Sequence, residues 1–312
     1  MENKPVISIC IPTYKRSETL KEWLDSITKQ FDGEIDDKIE IIIADDASPD
    51  NTEQMVREYM KNYTNIKYYR YPVNKWLTYN ITAVTSYATW EYLRLLTDDD
   101  CITNFSLRYV LEIIEKTTFD LMVCGFHFDS NMQVHIPKKE NTFRTLHWMD
   151  EFVDYLYDGR KTYEELMVHF SFYSVLVVKH SYYKESLALY DLDFIYTTIF
   201  PQDIIIYTQL QKEKTIVIPD NIFTLWRTLN ESYKTSMKFV TDFKETMDTI
   251  EAANWLEWSK KWKSIKRKVV SWWKKTILLW FLLRRLHIDY KKNFIFKKMY
   301  VFYKKYIQNQ TA

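Results

Sequence analysis

Val6–Pro12 and Ile39–Ala44 are almost unbroken runs rich in Ile, and each closes in a polar cluster. A strand with one wet face alternates polar and apolar residues, whereas a strand covered on both faces does not. The two runs therefore predict parallel strands buried inside a layered α/β sheet. Ser17–Gln30 follows the first run, carrying Leu20, Trp23, Leu24 and Ile27 at helical spacing, with Ser17 placed to cap it. Asn51–Met60, Trp76–Ala88 and Phe105–Glu115 read as further helices; Ile66–Tyr71, Tyr92–Leu96 and Asp120–Phe126 read as further strands. Alternating strand and helix signals specify an α/β fold, a mostly parallel central sheet with helices on both faces.

Past residue 130 the signals thin out. Ser174–Lys179 and Thr215–Ile218 read as strands and Asp203–Gln211 as a helix, and from Tyr233 onward the pattern is helical and increasingly basic. A chain of 312 residues with 46% hydrophobic content has enough apolar surface for a packed core, which excludes disorder as its main state. Cys10, Cys101 and Cys124 have the spacing of neither a disulfide framework nor a zinc site, so a reducing compartment is expected. Val6–Ile11 is too short for a signal-peptide core. The longest apolar run, Ile277–Leu283, falls far short of the ~20 residues of a spanning helix. The net charge of +1 conceals an asymmetry: Trp255–Tyr306 holds 16 Lys and Arg against Glu257 and Asp289, leaving the rest acidic.

In open α/β sheets, ligands bind at the carboxyl ends of the strands. Here those ends are Pro12-Thr13-Tyr14-Lys15-Arg16, Asp45-Asp46-Ala47-Ser48 and Asp98-Asp99-Asp100. Five carboxylates on one sheet edge repel one another unless a cation or hydrogen-bond donors compensate. Hard divalent ions take oxygen ligands and usually bridge to phosphates, so the pattern points to phosphate chemistry.

Taken in order, Val6–Arg16, Ile43–Asp50, Asn74 with Asn80, and Leu96–Asp100 resemble the amino-terminal half of a family 2 glycosyltransferase with the GT-A fold. The resemblance covers residues 5–115 well and 116–232 loosely. It implies an inverting sugar transferase that uses a nucleotide-sugar donor and a divalent metal, Mn²⁺ or Mg²⁺. It divides residues 1–235 into a donor-binding half (1–115) and an acceptor-binding and catalytic half (116–235); it does not reach the remainder, which reads as a helical membrane-surface or oligomerisation extension (236–312). Carried over, Pro12, Thr13 and Tyr14 line the nucleoside pocket, with Arg16 in the same donor site. Asp46 accepts a hydrogen bond from the base, Asp98 approaches the ribose, and Asp99 is the metal-linked carboxylate, assisted by Asp100. Two departures stand out: Thr97 replaces the usual first Asp of the acidic motif, and Trp76 stands near the place of a common Gly.

An inverting transferase needs a general base on the face opposite the leaving group. Phe200-Pro201-Gln202-Asp203-Ile204 resembles the family's Glu-Asp pair at a helix start, which makes Asp203 the base, with Asp191 and Asp193 as rivals. Leu225–Ser232 resembles the family's late phosphate-facing motif, with Arg227 as clamp and Asn230 in the place of His. In the tail, Val269, Trp272, Trp273, Ile277, Trp280, Phe281 and Leu283 can share a helix face, with Lys266, Lys268, Lys274, Lys275, Arg284 and Arg285 around it. Interface-seeking Trp beside Lys and Arg predicts attachment to an anionic membrane surface, at the cytoplasmic face of the inner membrane. Packing on the catalytic domain or on a second copy of the chain, as a homo-oligomer, is the alternative. A lipid-linked saccharide or other glycan is then the expected acceptor. Nucleic acid is disfavoured by the acidic body. A nucleotidyltransferase, or a degenerate transferase kept as a membrane scaffold, are the competing functions.

Overall fold

The computed structural model describes residues 6–128, 140–157, 173–196, 201–210, 212–220, 222–226, 237–253, 256, 259–268 and 271. Strands β1 (Ile7–Thr13), β2 (Ile39–Asp45), β3 (Ile66–Arg70) and β4 (Tyr92–Leu95) pair in parallel, in the order β3-β2-β1-β4. Every residue of β1 and β2 is buried, as strands covered on both faces require. The connecting helices are α1 (Ser17–Thr28), α2 (Glu34–Asp37), α3 (Thr52–Asn62) and α4 (Leu77–Ser86). Leu20, Trp23, Leu24 and Ile27 form the buried stripe of α1, as their spacing predicts.

The second half extends the same sheet. Its elements are β5 (Cys101–Ile102), α5 (Ser106–Lys116), β6 (Leu121–Val123), β7 (Gly125–Phe128), β8 (Phe143–Leu146), α6 (Met149–Tyr157), β9 (Leu176–Lys179), α7 (His180–Leu187), α8 (Leu192–Ile195), α9 (Pro201–Tyr207), β10 (Ile216–Pro219), β11 (Ile222–Trp226) and α10 (Met237–Ala253). The full order is β3-β2-β1-β4-β9-β6-β10-β8, and a small sheet β5-β11-β7 lies apart from it. Strand β9 runs against both neighbours and β8 against β10; the other strands of the large sheet share one direction.

Two expectations are corrected. Asp120–Phe126 is not one strand: Cys124 donates its N–H to Val175 O (2.7 Å), and the chain changes sheets there, from β6 to β7. Ser17 does not cap α1 but is its first helical residue; Arg16 stands at the cap without a side-chain bond. The Ser17 N–H is satisfied instead by Asp50 Oδ2 (3.2 Å), a carboxylate from the loop after β2.

The chain fills one side of β1 with β2 and β3 and then returns to the other side with β4. Strand order therefore reverses at β1, and the crevice at its carboxyl end is the topological switch point where such sheets bind ligands.

Helix α10 and the first part of the basic segment belong to the folded body. Met247, Ile250, Leu256, Trp262 and Ile265 are buried in the core, and residues 260–268 are helical. Lys266 pairs with Asp248 and Glu251, and Lys261 with Asp154 (2.6 Å), so these cations face protein acids. Trp272 to Leu283 and the rest of the tail lie outside the described residues. Among the described residues no helix is long and apolar enough to cross a membrane.

Candidate functional site

At the switch point the end of β1 is clipped to the loop after β4. Thr13 Oγ1 donates to Asp98 Oδ2 (2.6 Å), the Tyr14 N–H also donates to Asp98, and Arg16 Nη1 reaches Asp98 Oδ1 (3.0 Å). The same Nη1 lies 2.5 Å from Asp99 Oδ2. Burial pushes the Asp98 carboxyl up to about 6, the neighbouring Asp99 charge adds to this, and Arg16 and Thr13 oppose it. Asp99 is the more open of the two, and Asp100, next in sequence, is buried. Thr97, at the place of the missing Asp, points its N–H at Ser174 Oγ (3.0 Å), and its hydroxyl lies 3.2 Å from the same atom.

Asp45 and Asp46 are adjacent in sequence but serve different elements. Asp45 is internal: Oδ1 accepts from the Ser48 N–H (2.8 Å) and Oδ2 from the Tyr68 hydroxyl. Asp46 is joined to β1 by its own N–H on Thr13 O (3.0 Å), and its carboxylate accepts from the N–H groups of Lys75 (2.6 Å) and Trp76. Burial raises its pKa and these two donors counteract the rise. Asn80 completes the frame, donating to Ala44 O at 2.9 Å. The loop before α4 is thus tied to the carboxyl edge of the sheet through Asp46.

Among the described residues, Lys15 (φ 56°), Ala47 (φ 61°) and Trp76 (φ 73°) are the non-glycine residues with positive φ. They sit in three separate loops around this one edge, and such conformations cluster at functional sites. Trp76 has ψ 157°, a combination natural only to glycine, and the residue is 79% exposed. Replacing Trp76 with Gly relieves strain of about 1–3 kcal/mol but adds glycine's own chain entropy of about 0.5–1 kcal/mol. The expected outcome for Trp76→Gly is a net gain of about 1 kcal/mol, seen as a higher urea midpoint at unchanged m-value. An unchanged or lower midpoint shows that the indole packs well enough to offset the strain.

Asp203 stands apart, near the start of α9, fully buried. Among the described residues neither of its carboxylate oxygens has a hydrogen-bond partner, nor does either polar atom of the Gln202 side chain. Burial alone pushes Asp203 well above the usual carboxylate range. Helix α9 packs on α4, and Tyr79 of α4 meets Tyr196, which precedes α9, with ring centroids 5.6 Å apart. The structure therefore joins Thr13, Tyr14, Arg16, Asp98 and Asp99 in one cluster with Asp46 beside it, and carries Asp203 on a helix packed against the same α4. Pro12 is buried within β1. Asp193 and Asp191 lie at the start of α8, where Asp191 Oδ1 caps the helix through the Asp193 N–H. Arg227 and Asn230 lie outside the described residues.

Among the described residues no three His, Cys, Asp or Glu side chains converge as a ready-made metal cage. The Asp98–Asp99 pair nonetheless fits a hard divalent ion, because such ions are usually held by one or two carboxylates plus substrate phosphates. The pair already draws in a cation, the Arg16 guanidinium. Ser174 had no signal in the sequence: it acts on Thr97 from 77 residues away, and no local spacing marks it.

Residues 8–184 match the profile of Glycosyl transferase family 2, and the chain belongs to that family. It is 38% identical over 120 residues to the abequosyltransferase RfbV of Salmonella typhimurium, covering 38% of this chain and 35% of that protein. It is 31% identical over 110 residues to a poly-beta-1,6-N-acetyl-D-glucosamine synthase of Staphylococcus epidermidis, covering 35% of this chain and 26% of that one. The chain thus aligns with about a quarter to a third of the length of these curated relatives. In fold it is similar to S. aureus TarS 1–349, solved in complex with UDP-GlcNAc, at a TM-score of 0.61 and 18% identity over 85% of this chain and 71% of that one. It is also similar to the mannosyltransferase PcManGT of Pyrobaculum calidifontis, solved with GDP-Man and Mn²⁺, at a TM-score of 0.55 and 13% identity over 97% and 85%. The expected GT-A architecture is the one observed.

Proposed function

We propose that this chain moves one sugar from a nucleotide-sugar donor to a hydroxyl of a glycan acceptor, with inversion at the transferred carbon. The observation that carries this reading is the Thr13–Asp98–Arg16–Asp99 cluster at the switch point of the sheet, with Asp46 holding the loop beside it. Thr13 and Tyr14 bind the nucleoside, and Asp46 orients the base. The metal role, expected of Asp99 with Asp100 while Asp98 approaches the ribose, falls instead to Asp98 and Asp99, which share the Arg16 guanidinium while Asp100 is buried; the pair would hold a divalent ion, which would supply charge neutralisation for the departing diphosphate. Asp203 takes the proton from the acceptor hydroxyl as that oxygen attacks. The proposal also assigns residues 1–115 to the donor and 116–235 to the acceptor. A panel of nucleoside diphosphates with Mn²⁺, read by thermal shift, tests the reading. One matched base stabilises the fold by RT ln(1 + [L]/Kd), and a panel without effect overturns it.

A pH dependence follows from Asp98. Its carboxyl titrates at about 6 in the folded chain against an ordinary 3.8. The folded state therefore binds more protons between those values, and this group's contribution to stability is present at low pH and lost as pH rises through about 6. Ligand binding runs the other way, because metal and nucleotide need the ionised carboxylate. Mn²⁺-dependent nucleotide affinity is expected to fall as pH drops below about 6, measured by calorimetry from pH 5 to 8. A flat profile removes Asp98 from the site.

The tail favours a lipid-linked acceptor: its Trp and Lys/Arg content suits an anionic membrane surface, where two weak signals add. Because Trp262 and Ile265 are buried, the informative truncation falls after Ser271 and keeps them. Full-length protein is expected to co-sediment with anionic vesicles, less so as salt rises, and the truncated chain to stay in solution with donor binding intact. If the full chain ignores vesicles and elutes as an oligomer that truncation makes monomeric, the tail joins copies of the chain instead.

A further inference from the structure

One atom, Arg16 Nη1, contacts both carboxylates of the acidic motif, Asp99 at 2.5 Å and Asp98 at 3.0 Å. The Arg16 side chain is 36% exposed, whereas those of Asp98 and Asp99 are 9% and 14% exposed. The guanidinium therefore lies over two partly buried anions at the mouth of the site. Its backbone is held on both sides. The Lys15 N–H donates to Ser48 Oγ (2.8 Å), the Ser17 N–H to Asp50 Oδ2 (3.2 Å), and Arg16 O accepts from the Leu20 N–H (3.0 Å). Only the side-chain torsions are available for movement.

Two neighbouring carboxylates in a low-dielectric site need a cation, and the arginine supplies one within the chain. A divalent ion needs the same oxygens, and two cations on one pair repel. The guanidinium must therefore leave as the ion arrives. Its planar fork matches phosphate oxygens better than any other side chain, so a diphosphate in the crevice offers it a replacement partner. Resting on the donor-site reading above, we propose that Arg16 is a resident counter-ion of Asp98 and Asp99. A divalent ion displaces it, and the donor's diphosphate captures it. Metal alone then binds against the arginine, and metal with nucleotide binds without that opposition. The coupling between the two ligands exceeds what bridging of the metal to phosphate provides.

The test measures Mn²⁺ binding by the loss of the free-ion electron paramagnetic resonance signal, with no nucleotide and then with UDP, GDP or CDP. Arg16→Met is expected to bind Mn²⁺ alone about tenfold or more tightly than the wild-type chain, because the competing charge is gone. The factor by which nucleotide strengthens Mn²⁺ binding shrinks in the variant. Arg16→Gln, which keeps a neutral donor to Asp98, reports the same change if the Met variant folds poorly. Arg16→Lys, still charged, retains weak binding of Mn²⁺ alone. If Mn²⁺ binds Arg16→Met and Arg16→Gln no more tightly than wild type while nucleotide binding persists, the counter-ion role is wrong. If the wild-type chain binds none of the three nucleotides with Mn²⁺, the donor-site reading falls, and this inference with it.

Discussion

Asp99→Asn is expected to weaken Mn²⁺-dependent nucleotide binding by at least about 100-fold, the upper end of what even a partner of a metal ligand is worth. The melting temperature without ligand should hold or rise. The two effects separate because they have different sources. In the ligand site, Asn offers a neutral carbonyl where a hard divalent ion needs charge. In the folded chain, the Asp99 charge raises the Asp98 pKa, so neutralising it relieves repulsion. Arg16 keeps its 3.0 Å contact with Asp98, and Thr13 still holds the loop. Calorimetry with Mn²⁺ and the matched nucleoside diphosphate reads the first effect, and a thermal melt the second. Near-normal affinity in a well-folded variant removes Asp99 as the metal-linked carboxylate.

Where burial and period coincide, the fold was legible. Ile7–Thr13 and Ile39–Asp45 pair in parallel as Ile-rich strands buried at every residue, and Leu20, Trp23, Leu24 and Ile27 join the same core because they share one helix face. The acidic strand ends were legible as the polar clusters that close each run; the charges inside the sheet were not, since Glu40 in β2 and Arg94 in β4 are buried through partners, Lys67 and Ser106, that no local spacing reveals. What spacing does not encode is which donor each carboxylate finds. Asp45 and Asp46 look equivalent in sequence, yet one turns inward to Ser48 and Tyr68 and the other across to Lys75 and Trp76. Ser174 reaches Thr97 only because β9 inserts beside β4, a long-range pairing with no local pattern. The division of Asp120–Phe126 between two sheets has the same origin. The last bond to the β9 side is from Cys124 to Val175, and from Gly125 the chain pairs with β11, a distant partner that no local pattern reveals.

Asp203→Asn is expected to lower turnover by about 10²-fold or more while leaving donor affinity within about twofold, as removal of a general base does. Asp203 is fully enclosed, no described residue donates to its oxygens, and desolvation holds its pKa well above the ordinary carboxylate value. A carboxyl raised this way is a stronger base when it ionises than one on the surface, which suits it to abstract a proton from a sugar hydroxyl. The same burial sets the stability signs. A raised carboxyl holds its proton in the folded chain at a pH where the unfolded chain has lost it, so its cost grows with rising pH. Asn is a neutral isostere of the protonated acid, so stability near neutral pH should hold or improve as activity collapses. Activity should also fall on the acid side of its profile at a pH above the ordinary carboxylate range, and Asp203→Asn should abolish that limb. Steady-state rates across pH, with donor binding measured separately, distinguish the roles. Collapse of donor affinity with surviving turnover at saturation makes Asp203 a binding residue, and the base must then be sought at Asp191 or Asp193, at the solvent-facing start of α8.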